Sequence, residues 1–347
     1  MNSRERVLAS AAHEPTDRLP IFGPNIMRTA EPYDPELMRY LEGRGFDEWA
    51  VLPSLTPAPD EKRELGGDES VDAYGCRFKW MGVGSPYCTH SPLEGAESVA
   101  EVEAHDWPDP EAPGLVAADA AERARAMRAE GVRATAIGVP PLFHQYHYLR
   151  GFEQWMVDIK LNRDIHRAIA DRIHHVNCVT TMRLLEQVGP WCDFVATGDD
   201  LGTSTSSYMS PADFRELVKP YYKDLIGRIK GRWPHIRFYM HSHGQIMDLV
   251  GDLIECGVDI LNPVLPLDNM DAARLKREYG RELCFHGGVD IERIVPFGTV
   301  EEVRRHVREV IQTLGAGGGF WLKLQVISPV IPPENIIAAY ETAFEVG

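Results

Sequence analysis

The segment FYMHSHG places His241 and His243 two residues apart, and CFHGG repeats that spacing with Cys284 and His286. Side chains alternate faces along a β-strand, so while the strand persists each pair points to one side. Two imidazoles on one face at a strand end are the beginning of a metal site, and imidazole suits zinc and other late first-row metals. We therefore expect one divalent ion, zinc first, bound by His241 and His243, with His286 the next ligand and Cys284 a softer alternative. The plainer account is a satisfied core histidine, or imidazoles that bind substrate oxygens or anions directly with no metal.

TGDDLGTSTSSYMSP carries the adjacent carboxylates Asp199 and Asp200. Neighbouring carboxylates raise one another's pKa and can supply an acid, a base or a cation site. An Asx turn, or loop amides bonded to Asp200, is the structural alternative. The polar Gly-Thr-Ser-Thr-Ser-Ser run that follows has no evident core role and favours function, so both aspartates are taken as catalytic candidates. In GVPPLFHQYHYLRGFEQW, His144, Tyr146 and His147 offer rings able to hold a planar or phenolic substrate. Tyr148 and Phe152 read as core. Arg28, in GPNIMRT, is the cation available to a substrate carboxylate, against the alternative of an exposed arginine at a helix start.

These groups need a scaffold that collects strand ends. Eight short apolar runs alternate with amphipathic stretches: Leu19–Phe22, Trp49–Leu52, Arg133–Ile137, Asp193–Thr197, Ile236–His241, Asp259–Asn262, Leu283–Phe285 and Gly319–Leu324. That alternation predicts βαβ units and a parallel sheet, here an α/β (β/α)8 TIM barrel with chemistry at the C-terminal ends of its strands. Val303, Val307, Val310, Ile311 and Leu314 share one face of a helix over Val300–Leu314, and Thr299 with Glu302 forms its capping box. Further helices are predicted over Pro211–Arg228, Leu249–Glu255 and Pro333–Phe344. The stretch EKRELGGDESVDAYGCRFKWMGVGSPYCTHSPLEG, between the second and third strands, reads as an insertion. A small hairpin (Ala73–Trp80 turning back through Gly82–Tyr87) is expected there, as a surface loop or a lid over the barrel mouth. No GxGxxG follows an early strand, which counts against a doubly wound nucleotide site.

The 347 residues carry a formal net charge of -16 with no offsetting basic stripe, so nucleic-acid binding is not expected. No run of about 18 apolar residues marks a membrane span. The opening MNSRERVLASAAHEP lacks a signal peptide's apolar core. The six cysteines have no CxxC spacing, as suits free thiols in a reducing cytoplasm, so a cytoplasmic location is expected.

Taken in order, SRERVLASAAHEPTDRLP, YLRGFEQWMVDI, TGDDLGTSTSSYMSPADFRELVKPYYKDLI, HSHGQIMDLVGDLIECGVDILNPV, FHGGVDIERIVPFGTVEEVRRHVREVI and IPPENIIAAYE resemble the uroporphyrinogen decarboxylase superfamily nearly end to end. That superfamily also holds cobalamin-linked methyltransferases. The resemblance implies one barrel domain over residues 1–347, often a homodimer, with the site at the barrel mouth. True decarboxylases carry an MRQAGR segment after the first strand. Here it is MRTAEPY, so Arg28 matches and the second arginine is missing, and the late histidine of those enzymes falls at about Gln325. The methyltransferase branch looks closer. Its zinc-dependent members have His-x-Cys where this chain has His241 and His243, and a further cysteine near Gln325. Gln325 is therefore a candidate, weak metal ligand, and a nitrogen- and oxygen-rich site completed by His286 or Asp200 is implied. The expected activity is methyl transfer between a small substrate, aromatic methoxy compounds included, and a corrinoid supplied by a partner protein, because no DxHxxG-type corrinoid signature is present. Cofactor-free decarboxylation of an aromatic or tetrapyrrole acid, using Asp200 and Arg28, is the second reading. A binding or sensing barrel without turnover is the third.

Overall fold

The computed structural model describes residues 1–55 and 63–347. The first residues of the predicted insertion, Glu61 and Lys62, lie outside them. Eight parallel strands form one curled sheet: β1 (Ile21–Phe22), β2 (Trp49–Val51), β3 (Ala134–Gly138), β4 (Phe194–Gly198), β5 (Arg237–His241), β6 (Ile260–Val264), β7 (Cys284–Gly288) and β8 (Phe320–Lys323). The spatial order runs β1-β8-β7-β6-β5-β4-β3-β2, so the first strand lies against the last. That pairing makes the fold TIM-barrel-like. The expectation of a fully closed barrel needs one correction: among the described residues, no ladder joins β1 to β2. Asp47, just before β2, bridges the seam. Its N–H donates to Ile21 O at 2.7 Å, and its buried carboxylate accepts from Ile21 N, Arg6 and Arg18. The rings of Phe22 and Trp49 meet across the same seam at 5.8 Å.

Strand alternation sorts the core into two clusters. Phe22, Phe194, Tyr239, Ile260, Cys284 and Trp321 point inward, joined by Val7 and Ala11 from the first helix, Ser3–Ala11. Ile21, Val195, Phe238, Leu261, Phe285 and Leu322 belong to the larger cluster beneath the outer helices. The helix Val300–Leu314 has the predicted bounds, with its capping box formed and Val303, Val307, Val310 and Leu314 buried. The single helix expected over Pro211–Arg228 is instead two, Pro211–Leu217 and Lys219–Arg232. Pro220 is the cause, because it has no N–H to continue the ladder and its ring clashes with the carbonyl four residues earlier.

The insertion is not a single hairpin. Arg63–Gly66, Glu69–Val71, Arg77–Lys79 and Tyr87–His90 form a four-stranded antiparallel sheet. It is fastened to the helix that follows β3, Phe143–Arg150. Gln145 Nε2 donates to Asp72 at 3.0 Å, and Asp72 also accepts from the backbone of Tyr74 and Cys76. Arg150, paired with the buried Asp158 at 2.7 Å, donates to the carbonyls of Leu93 and Glu94 where the insertion returns. Among the described residues no helix is long and apolar enough to cross a membrane.

Candidate active site

The loops after β3, β4 and β5 converge at the C-terminal ends of the strands. Gly244, with φ +104°, lets the turn after β5 pass so close to the loop after β4 that an added Cβ would lie 2.3 Å from Gly202 O. Three hydrogen bonds then tie the loops: His243 N to Asp200 Oδ1 at 2.8 Å, Leu201 N to Ser242 Oγ at 3.1 Å and Gln245 N to Thr203 O at 2.7 Å. The Thr-Ser run makes its own turn, with Thr203 Oγ1 accepting from Thr205 N and Ser206 N, so its polarity has a structural use.

Asp200 stands at the centre, facing His144 Nε2 at 3.6 Å and His241 Nε2 at 3.7 Å. Both imidazoles are held from behind. His144 Nδ1 donates to Gly198 O at 3.0 Å, where only a donor is satisfied. Asn262 Nδ2 donates to His286 O and to Gln325 Oε1, which turns Asn262 Oδ1 toward His241 Nδ1 at 2.7 Å. His241 Nδ1 must then carry the proton, as this network assigns it. Burial lowers the pKa of His241, and Asn262 and Asp200 only partly oppose that. Neutral His241 thus turns the bare lone pair of Nε2 toward a carboxylate, an arrangement that a proton or a cation between them relieves.

Asp199, the other catalytic candidate, is wholly buried. It accepts from Leu142 N, His144 N and the Tyr222 hydroxyl at 2.6 Å, so it anchors the start of the His144 helix rather than facing the mouth. Burial raises its pKa against the pull of those donors. His243 lies against His241, ring centroids 4.9 Å apart, but Nδ1 turns to Asp268 at 3.4 Å. Burial works to lower the His243 pKa, and the carboxylates of Asp268 and Asp200 raise it on balance. A histidine favouring its charged form is poorly suited to ligate a cation.

The structure does not bring His286 to this cluster. The ring is in the aromatic interior against Phe22 and Trp321, Nδ1 meets Tyr239 Oη at 3.1 Å, and burial drives the pKa far down. Its Nε2 has no hydrogen-bond partner among the described residues. Cys284 is buried one step further inside. Gln325 is buried and supports Asn262. Tyr146 is core, its ring stacked on His166 and its hydroxyl 3.4 Å from Asp158. His147 packs among Phe143, His144 and Tyr148, and burial lowers its pKa to about 3. Arg28 is exposed, its guanidinium 4.2 Å above the Trp80 ring. These corrections share a cause: spacing says which residues share a face, not how deep in the barrel or how near the lid that face lies.

Sequence reading passed over Lys323, the last residue of β8. Trp321, Lys323 and Gln325 alternate with Leu322 and Leu324, which belong to the outer cluster, so the lysine shares the inward face. Burial lowers its pKa to about 8, against a smaller opposing effect of Glu48. A lysine between two leucines of a strand was the available signal. Asn262 gave less warning.

A second cluster lies in the helix layer. His174, Cys178 and Asp224 place ligand-type atoms within 4.8 Å of one another, the one such group of three among the described residues. His174 Nε2 meets Asp224 Oδ2 at 2.8 Å, Arg228 holds the same oxygen at 2.7 Å, and burial pushes the Cys178 thiol up to about 12. The donor types are compatible with zinc, but the guanidinium already neutralises the carboxylate.

The chain belongs to the uroporphyrinogen decarboxylase (URO-D) family, whose model matches residues 70–346. Among curated relatives, the uroporphyrinogen decarboxylase of Chlorobaculum tepidum is 25% identical over 139 residues, covering 40% of this chain and 36% of that protein. The corresponding enzyme of Synechococcus is 28% identical over 137 residues, covering 39% and 37%. The matched stretch thus spans well under half the length of these relatives. A solved methyltransferase from Methanosarcina mazei superposes with a TM-score of 0.64 at 18% identity, covering 99% of both chains, a likeness of fold.

Proposed function

We propose that this chain is a methyltransferase-type enzyme that moves a methyl group between a small substrate, aromatic methoxy compounds included, and a corrinoid held by a partner protein. The observation that carries the reading is the trio of His144 Nε2, Asp200 and His241 Nε2, each imidazole fixed from behind by its other nitrogen. Such support behind a histidine is what metal ligands require. The trio's nitrogen and oxygen donor types suit zinc or another divalent ion, although its ligand atoms do not all lie within 4.8 Å of one another. When bound, that ion would act as a Lewis acid on the substrate atom that carries or receives the methyl group. This replaces the ligand set His241, His243, His286 and Gln325: His241 is kept, His144 and Asp200 join it, His243 pairs with Asp268, and Gln325 supports Asn262.

As ligands, Asp200 and His241 would fix where the reacting substrate atom sits, while the insertion and the aromatic helix Phe143–Arg150 limit water. Zinc-loaded protein mixed with a cob(I)- or methylcob(III)alamin-carrying partner should demethylate or methylate members of a methoxy- and methylthio-compound panel, read by the corrinoid spectrum. Failure across the panel with a partner of proven activity would count against the reading.

The decarboxylase alternative draws support from the relatives' names. Against it stands the cation supply at the first strand, a single exposed Arg28 already seated on Trp80. A polycarboxylate needs several fixed cations. Uroporphyrinogen should therefore turn over poorly, and rapid conversion would favour this alternative.

A further inference from the structure

We infer that Lys323 is a substrate-positioning residue that binds the carboxylate of a monoanionic small substrate at the barrel mouth. The inference deepens the proposed function by naming a substrate class for that site. Lys323 ends β8 opposite Phe22 of β1 and Gly288 of β7, on the inward side. Two residues on, Gln325 accepts from Asn262, and Asn262 holds His241. The ammonium is therefore on the same side of the sheet as the His241–Asp200 pair and one strand-end from its support. Its hydrogen bond among the described residues goes to a neutral oxygen, Asn25 Oδ1, at 2.8 Å.

Among the other buried or half-buried cations, Arg6 and Arg18 pair with Asp47, Arg150 with Asp158 and Lys219 with Asp252, whereas Lys276 donates to the carbonyl of Gly318. Lys323 lacks such an ion pair among the described residues. An ammonium held partly out of water beside a neutral amide gains most from an incoming anion. One compact charge matches one carboxylate. A phosphate dianion or a polycarboxylate would demand more fixed cations than this position offers, in a chain whose net charge is already -16.

The test needs no turnover. Wild-type protein, Lys323→Gln, Lys323→Arg and His241→Ala are titrated at pH 7 with benzoate and 4-methoxybenzoate, and with the two matching benzamides, by calorimetry. Wild type should bind the acids at least about tenfold more tightly than the amides, the scale of one charge-assisted hydrogen bond. Lys323→Gln should lose that preference, Lys323→Arg should keep part of it, and His241→Ala should keep it. Equal affinity for acid and amide in wild type, an unchanged preference in Lys323→Gln, or no binding of either acid would each overturn the inference. A protein that selects acids through Lys323 but moves no methyl group would sink the transfer reading alone. One that demethylates neutral compounds with no preference for acids would sink this inference alone.

Discussion

At Asn262 a single neutral side chain decides what His241 can do. Its amide spans His286 O, Gln325 Oε1 and His241 Nδ1, and so sets which imidazole nitrogen faces Asp200. Outer supports of this kind typically change metal affinity or activity by about 10–100-fold. Asn262→Ala should therefore weaken zinc binding by about that factor, measured by competition with a chromophoric chelator, while the fold persists by circular dichroism. Unchanged zinc affinity would show that the network serves only packing. The sequence displayed the chemistry-bearing types here: His241, Asp200 and His144 were all visible as strand-end polar residues. Their mutual pairing was not, because it depends on which nitrogen each ring turns forward. That is set by Gly198 O and Asn262, groups with no motif of their own. His286 misled for the opposite reason. Its spacing was sound, but the strand carries it into the aromatic interior.

At the scale of elements, the site is made by loops that cross. Gly244 permits the crossing of the β4 and β5 loops. A Gly244→Ala chain would hold a side chain at φ +104° and press it on Gly202 O, at a cost of about 1–3 kcal/mol for the backbone alone. Its urea midpoint should fall, and His243 N and Asp200 should separate enough to impair zinc binding as well. A variant as stable as wild type would show that the loops are free to part. The strands and the best helix were legible because periodicity reports burial: all eight runs became strands, and Val300–Leu314 kept its bounds. The four-stranded insertion was harder to read, since its short, mostly exposed strands carry little alternation. The seam between β1 and β2 was also hidden. A buried aspartate and two arginines, distant in sequence, bridge it in place of a ladder.

Over the whole molecule, buried imidazoles tie stability to pH. Burial, first among the causes, lowers the pKa of His147 to about 3 and of His166 to about 4 from an ordinary 6.5, and depresses His241 and His286. The unfolded chain therefore binds more protons than the folded one below that ordinary value. Stability from these groups is present above pH 6.5 and is lost as pH falls toward the folded values. Each contributes a slope of up to about 1.4 kcal/mol per pH unit. His243, raised, acts in the opposite sense, its share lost as pH rises, and the raised carboxyls of Asp72 and Asp199 also favour the acid side. A His166→Phe variant isolates the imidazole effect. Between pH 7 and 5 its urea-unfolding free energy should fall less steeply than that of wild type, and an identical slope would mean that His166 titrates normally. We propose that the metal is held at the mouth rather than in the helix layer, where Arg228 already neutralises Asp224. The most direct test is elemental analysis of protein purified without an affinity tag, for wild type, His241→Ala, Asp200→Asn and His174→Ala. The account predicts about one divalent ion per chain in wild type and His174→Ala, and its loss in His241→Ala and Asp200→Asn. An ion that stays in His241→Ala and leaves with His174→Ala, or metal-free wild type with full activity, would contradict it.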